Sequence, residues 1–541
     1  MRNYLDLPLF GIFERKFSLF SASKCRRHFF GYRKFTEISS HSTTIAVRRY
    51  AIESPLNFLH MRPSVQLYSK IVSNPFKLIY RSPHFVIALF CLIPLFCWGQ
   101  AVPSQAQLEW QAMEMNMFCH FGPNTFTGNE WGDGKESDSL FNPTQLDCRQ
   151  WVATAKAAGF KGIIITAKHH DGFCLWPSQE STHTVRESPC NKDVLRELSD
   201  ACREQGLKFG VYVSPWDRNH PTYGSEAYNR VFQNTLKEVH TQYGEVFEQW
   251  FDGACGEGPN GKKQVYDFDA FNREVLTLHP NCVIFSDVGP GCRWMGNESG
   301  VCGATCWSTM DIADSLGNKY LPGTGIPSQA VLNSGEREGQ NWVPAETDVS
   351  IRPGWFWRAS EHPKSVQELL SIYYTSVGRN SLLLLNVPPD NRGLIDREDS
   401  LRLMEFRLAL DSIFSHSAAT FSEKNVATEP QTFHWQMQTP ATFNRIVLQE
   451  DIAHGQRVAK FQVLVRRQGS QQEALIAEGT TIGYKRILLV PQQDDIETLT
   501  VRVTDCKGQP LLKGLDVFQD NIFDDSQLRE TSVYRTTDNL K

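Results

Sequence analysis

The sequence contains no run long enough to cross a bilayer comfortably. Its apolar stretch Phe85–Phe96 (FVIALFCLIPLF) is 12 residues long and interrupted by Pro94. No Gly-rich phosphate turn follows the first strand candidate, which argues against a doubly wound, nucleotide-binding sheet. The cysteines lack metal spacing: Cys302 and Cys306 are four apart, but no matching pair with His follows them. No His-x-His pair supports a metal centre either. Positive charge is concentrated at one end. The formal net charge is −5, yet residues 1–100 hold 14 Lys and Arg against 4 Asp and Glu, so the rest is acidic. An acidic body argues against a nucleic-acid partner and fits a neutral or weakly charged ligand.

What is present begins with a leader. Lys77 and Arg81 precede the apolar run, and Gly99-Gln100-Ala101 follows it as a small-residue cleavage site, the pattern of a secretory signal. The expectation is therefore a secreted or periplasmic protein cut near Ala101, with no stable membrane span in the mature chain. A retained N-terminal anchor is the alternative; a lipoprotein signal is disfavoured because bulky Phe96 precedes Cys97. Met61 would open a conventional basic leader over 61–101, so residues 1–60 read as a mis-called start or an unusual extension. Of 14 cysteines, Cys25, Cys91 and Cys97 precede the cleavage site. The remainder is odd in number, and buried free thiols are expected for most.

From about residue 108, short apolar runs alternate with amphipathic segments. Strand candidates are Met115–Gly122, Gly162–Ala167, Lys208–Ser214, Val246–Asp252, Cys282–Asp287, Thr305–Thr309, Val349–Trp357 and Leu382–Asn386. Most are followed by a helical period. Repeated βα units imply a parallel sheet, and eight of them predict an α/β fold, a (β/α)₈ TIM-like barrel over 102–416. After residue 417 the helical period disappears. Short β-prone runs at Arg445–Gln449, Ala459–Arg466, Lys485–Val490 and Thr498–Val503 predict an all-β sandwich over 417–541.

The chemistry is concentrated at the ends of the strand candidates, where such a barrel carries its active site. The stretch Glu248-Gln249-Trp250-Phe251-Asp252-Gly253 reads as a strand that ends by presenting a carboxylate. A second acid, Glu298, lies in the Gly- and aromatic-rich loop Arg293–Gly300. Two separated carboxylates suit glycoside hydrolysis, one as nucleophile and one as proton donor. The residues alone rank Asp252 first as nucleophile, and Glu298 only narrowly above Glu130 as acid. Asp171, Asp217 and Asp287 also end strands; the first two could equally cap turns. His120, His169, His170, Tyr212, Trp216, Trp250 and Trp307 are expected at the same end of the barrel, with Glu130 and Trp131 in the loop after the first strand. Trp250 is two residues before Asp252, so it shares the same strand face. His169 and His170 could meet one ligand only where the strand is already turning.

Several of these segments together resemble a family. Phe118-Cys119-His120-Phe121-Gly122, Lys168-His169-His170-Asp171-Gly172-Phe173 and Trp250-Phe251-Asp252-Gly253 are similar to motifs of the alpha-L-fucosidases of glycoside hydrolase family 29. Gly296-Asn297-Glu298 and Leu382-Leu383-Leu384-Leu385-Asn386-Val387-Pro388-Pro389 extend the likeness over roughly 108–415. The resemblance implies a retaining exo-hydrolase of terminal alpha-L-fucose, with Asp252 as nucleophile, Glu298 as acid/base, and His120, His169 and His170 on the fucose hydroxyls. The Gly-Asn-Glu setting resembles the branch that prefers alpha-1,3- and alpha-1,4-linked fucose. The implied partners are fucosylated oligosaccharides or glycoconjugates, and no cofactor or metal is required. Two other readings are a catalytically silent fucose-binding protein and a metal-dependent barrel hydrolase using His169 and His170.

Overall fold

The computed structural model describes residues 100–429 and 431–528. The leader and extension read at 1–60 and in most of 61–101 lie outside the described residues. Eight strands close into a barrel: β1 (Met115–Cys119), β2 (Gly162–Lys168), β3 (Lys208–Val213), β4 (Glu248–Trp250), β5 (Val283–Ser286), β6 (Cys292–Trp294), β7 (Ala345–Ser350) and β8 (Ser381–Asn386). Each pairs in parallel with its sequence neighbours, and β8 closes on β1 with Met115 opposite Leu383.

Burial on both faces explains the strand sequences. GIIITAK of β2 and SLLLLN of β8 are buried along their whole length. Met117, Ile163, Ile165 and Leu385 join the outer core, while Phe118, Ile164, Tyr212, Trp250, Phe285 and Leu384 fill the interior. A strand covered by helices outside and side chains inside has no polar face, so its apolar residues run on without alternation. The outer helices include α1 (Cys148–Ala157), α2 (Val194–Gln205), α3 (Glu226–Gln242), α4 (Phe268–Leu278), α5 (Val366–Thr375) and α6 (Arg397–Phe414). Their starts carry side-chain caps: Asp147, Asp193, Asp267 and Asp396 each accept from a first-turn N–H, and Ser365 and Glu368 form a reciprocal capping box.

Two strand expectations are corrected. The sixth strand is Cys292–Trp294; Thr309–Met310 instead pairs with Asn341–Trp342 in a small antiparallel ribbon outside the barrel. β5 reaches β6 through residues 287–291 alone, without a helix. Parallel neighbours usually need a crossover of a dozen residues, which is why this turn read as a loop. The seventh strand is Ala345–Ser350, not Val349–Trp357.

Beyond α6 lies an antiparallel sheet of six strands: β9 (Phe421–Glu429), β10 (Thr432–Glu450), β11 (Val458–Arg467), β12 (Glu473–Gly479), β13 (Arg486–Cys506) and β14 (Leu512–Phe518). The order is β9-β10-β13-β11-β12, with β14 also on β10. Register shifts between Gln436 and Arg445 interrupt the long β10–β13 pairing. The sheet has its own core, with Trp435, Phe443, Phe461 and Val501 among its members. Polar contacts fix it to the barrel: Tyr374 on α5 donates to Asp520 at 2.6 Å, and Arg445 lies 3.0 Å from the same carboxylate.

Candidate active site

The strand ends deliver their side chains to one place. His120 directly follows β1, and His169 and His170 directly follow β2. Tyr212 lies within β3, Asp252 is two residues beyond β4, and Asp348 lies within β7. Glu298 sits on the loop after β6, so the missed strand is the one that aims it. Asp252 and Glu298 line the same cavity of about 340 Å³, together with Trp250, Phe285, Asp287, Trp294 and Asp348.

Both oxygens of Asp252 are held. The Tyr212 hydroxyl donates to Oδ2 at 3.0 Å and the Ala254 N–H to Oδ1 at 2.7 Å. His170 Nε2 stands 3.6 Å from Oδ2. Beneath them the aromatic floor is stacked: Tyr212 on Trp250 at 5.3 Å between centroids, and Trp250 on Phe285 at 3.9 Å. The Trp250 indole N–H donates to Glu346 at 2.9 Å. Glu346 and Glu248 form a buried pair at the base of the barrel. Burial first, then mutual repulsion, raises the Glu346 carboxyl well above its usual range, so the pair retains a proton.

Glu298 is held differently. Its outer edge meets solvent, yet protein crowding around the carboxyl is the largest cause raising its pKa. The negative charges of Asp252 and Glu130 add to the rise, and a hydrogen bond from the Trp355 indole at 3.1 Å opposes it. Trp355 is set in turn by Glu130, which accepts its backbone N–H at 3.0 Å and ion-pairs with Arg358. Glu130 therefore braces the loop under Glu298 rather than standing free.

The three histidines converge. β2 ends at Lys168, so both following residues lie in the turn and place their ring centroids 4.2 Å apart. His120 stands 5.8 Å from His169, centroid to centroid. His120 Nδ1 meets Asn386 Oδ1 at 2.9 Å, and His170 Nδ1 meets Ser214 Oγ at 2.8 Å. His169 Nδ1 is buried with no partner among the described residues. Burial lowers all three, His120 to about 3, so the rings are neutral at physiological pH and each can donate at one nitrogen and accept at the other.

The rival acids have other partners. Asp171 accepts from the Phe173 N–H at 2.8 Å, and burial raises it to about 6. Asp217 is ion-paired to buried Lys168 at 2.9 Å. Asp287 does line the cavity and accepts the Gly323 N–H at 2.9 Å; burial raises it to about 6. Trp131 is 59% exposed, its ring 5.7 Å from Trp216 and 5.8 Å from His170, at the rim. Trp307 is placed elsewhere. It is buried, and its backbone N–H donates to Ser334, because Thr305–Thr309 is not a barrel strand. Asp348, Trp355 and Asn386 were not singled out as site residues. The Trp294 indole donates to Asp348 at 3.0 Å; burial, then Glu298, raises that carboxyl well above its usual range. Trp355 follows the Pro353-Gly354 turn, beyond the true end of β7 at Ser350 and inside the segment read as the seventh strand. Asn386, the polar end of the LLLLN run, was the one legible signal.

Comparison with known proteins decides the family. The model of the family Alpha-L-fucosidase matches residues 95–407. The chain is 41% identical to Alpha-L-fucosidase 1 of Arabidopsis thaliana, covering 81% of this chain and 91% of that one. It belongs to the alpha-L-fucosidases. Among solved structures, a glycoside hydrolase 29 family member from an unknown rumen bacterium superposes with a TM-score of 0.72 at 41% identity, covering 79% of each chain. A Ruminococcus gnavus GH29 fucosidase in complex with fucose matches at TM-score 0.69 and 29% identity, covering 78% of this chain and 96% of that one. The protein is thus a glycoside hydrolase of the fucosidase family, which acts on fucosylated glycans. No helix among the described residues is long and apolar enough to cross a membrane.

Proposed function

We propose that this fucosidase removes terminal alpha-L-fucose with retention, through a covalent intermediate on Asp252 and with Glu298 as acid/base. The observation that carries the reading is the single cavity lined by both carboxylates. A retaining mechanism needs its two carboxyls about 5–5.5 Å apart. Asp252 attacks the anomeric carbon while Glu298, its pKa raised by its crowded and negatively charged surroundings, gives its proton to the leaving oxygen. As the bond to Asp252 forms, that proton leaves with the departing sugar. Glu298, now a carboxylate, takes a proton from water, and the resulting attack frees fucose. Neutral His120, His169 and His170 can donate to and accept from sugar hydroxyls, and the unpartnered nitrogen of His169 favours that role. The floor of Trp250 and Phe285 suits the apolar face and methyl group of a deoxysugar.

The finer reading continues from the same residues. Gly296-Asn297-Glu298 supports a preference for alpha-1,3- and alpha-1,4-linked fucose, and Trp131 at the rim, with buried Trp216 behind it, would flank the branched leaving group. The leader read at 61–101 supports export. The C-terminal sheet, whose β10–β13 pairing shifts register between Gln436 and Arg445, is read as a sandwich that braces the barrel. The test is a panel of fucosylated oligosaccharides of defined linkage, with the first-formed fucose anomer followed by proton NMR. Alpha-fucose released first, from 1,3- and 1,4-linked glycans, is expected. Beta-fucose first would overturn retention; binding without release would favour the silent, sugar-binding reading.

A further inference from the structure

The loop that carries Glu298 continues into two buried cysteines. The eleven described cysteines are free thiols, eight of them buried. Cys302 and Cys306 lie among buried arginines. Both are fully buried and pack in one small cluster with Met295 and Ala345, the Cys302 thiol donating to Arg379 O at 3.4 Å and the Cys306 thiol to Asn380 O at 4.0 Å. Arg293 Nη2 points at Cys306 Sγ from 3.8 Å. Arg486 is fully buried beside them; its Nη1 donates to Ala304 O at 2.6 Å, but its Nε and Nη2 have no partner among the described residues. Neither guanidinium is ion-paired to a carboxylate among the described residues. A buried charge left unpaired is costly, so the nearest group that can turn negative is favoured to do so. That group is the Cys306 thiol. The neighbouring Cys302 thiol is the largest cause holding it below the usual thiol range, and the Arg293 guanidinium at 3.8 Å and Arg486 add to the effect. A thiolate beside a thiol is the reactive form for disulfide exchange.

We propose that Cys302 and Cys306 are a redox-active pair that closes into a disulfide by exchange with a small organic disulfide, and that closure disturbs the seat of Glu298. The Cys306 thiolate attacks one sulfur of R–S–S–R, forming a mixed disulfide and releasing RS⁻. The Cys302 thiol then attacks the Cys306 sulfur; its proton passes to the second RS⁻, which leaves as RSH. The two protein sulfurs are oxidised by two electrons and the small disulfide is reduced by two. Because both sulfurs are buried, exchange proceeds while the loop is open, and equilibration is slow. Closing the pair draws the sulfurs from contact to bonding distance, about 2.05 Å. It also removes the anion from between the guanidiniums. The strain reaches Glu298 along a short path: the Asn297 side chain donates to Val301 O at 2.9 Å, and the Cys302 N–H donates to Thr375 O at 2.8 Å. This last step rests on Glu298 being the acid/base; the disulfide itself does not.

The test equilibrates the full chain in oxidised glutathione or in dithiothreitol, then quenches in acid, denatures and alkylates. Cleavage after Arg293 and Lys319 yields one peptide, 294–319, that contains both cysteines and no other. In the oxidised sample this peptide is expected to resist alkylation and to be lighter by two hydrogens; in the reduced sample it takes two alkyl groups. Two alkylated thiols in the oxidised sample would overturn the pair. The oxidised enzyme is also expected to lose turnover of a glycan with a poor leaving group, reversibly with dithiothreitol, and Cys302→Ser is expected to be insensitive to either buffer. A formed disulfide with unchanged turnover would overturn the link to Glu298 and leave its catalytic role untouched. Should Cys302→Ser fold poorly, the wild-type peptide map decides the matter alone.

Discussion

Glu298→Ala removes the carboxyl that faces the Asp252 cavity and accepts the Trp355 indole at 3.1 Å. General acid–base assistance contributes roughly 10²–10⁴ in rate. At 1.36 kcal/mol per tenfold, that is about 2.7–5.4 kcal/mol of barrier. The loss depends on the leaving group. A sugar alkoxide departs poorly without a proton, so kcat/KM on a fucosylated oligosaccharide is expected to fall by roughly 10³ or more. A phenolate with electron-withdrawing groups needs little help, and its kcat/KM, which reports the first irreversible step, is expected to stay within about tenfold. Water still needs a base in the second step, so the fucosyl-enzyme accumulates and an initial burst of phenolate precedes slow turnover. Azide, which attacks without a base, is expected to restore the steady rate. The assay runs both substrates in parallel on wild type and variant. Equal losses on the two would refute the reasoning and move the acid to Asp287 or Asp348, the other carboxyls in the cavity.

Trp355→Phe removes the one contact that lowers the Glu298 pKa. The acid must be protonated to act, so activity falls as pH rises through its pKa, and the alkaline limb of kcat/KM is expected to move to higher pH; an unmoved or downward-shifted limb would contradict this. Lys168→Met leaves Asp217 charged and buried without its 2.9 Å partner, which costs about 3–5 kcal/mol by denaturant midpoint; a loss below about 1 kcal/mol would refute the pairing. Burial raises Asp217, but Lys168 and several hydrogen bonds outweigh it and leave its pKa lowered. The stability it confers is therefore present above about pH 4 and lost as pH falls through its folded value. Glu346→Ala strands the Trp250 N–H and opens a cavity under the floor, a loss of about 2–4 kcal/mol, whereas Glu346→Gln, which mimics the protonated acid, is expected to cost less than half as much.

The fold was legible where burial is two-sided. GIIITA and LLLLN marked β2 and β8 within one residue, because strands covered on both faces must be apolar throughout. It was hidden where strands carry site chemistry. β7 buries Glu346, Thr347 and Asp348 in succession, with Glu346 and Asp348 facing the barrel interior, and that polar composition displaced the reading to Val349–Trp357. β6 is three residues long and enters by a five-residue turn, which no periodicity can report. The site was legible where motif residues end strands, as at His120, His169, His170 and Asp252. It was invisible where long-range contacts make it, as for Trp355, whose place depends on Glu130 more than two hundred residues earlier. Trp307 read as a site residue only because Thr305–Thr309 had taken the place of β6.

The most direct test is to trap the fucosyl-enzyme with a 2-deoxy-2-fluoro-fucosyl donor bearing a good leaving group, and to map the labelled peptide by mass. The label is expected on Asp252, in stoichiometric amount, and absent from Asp252→Ala. A label on Asp287 or Asp348, or time-dependent inactivation that persists without Asp252, would contradict the account.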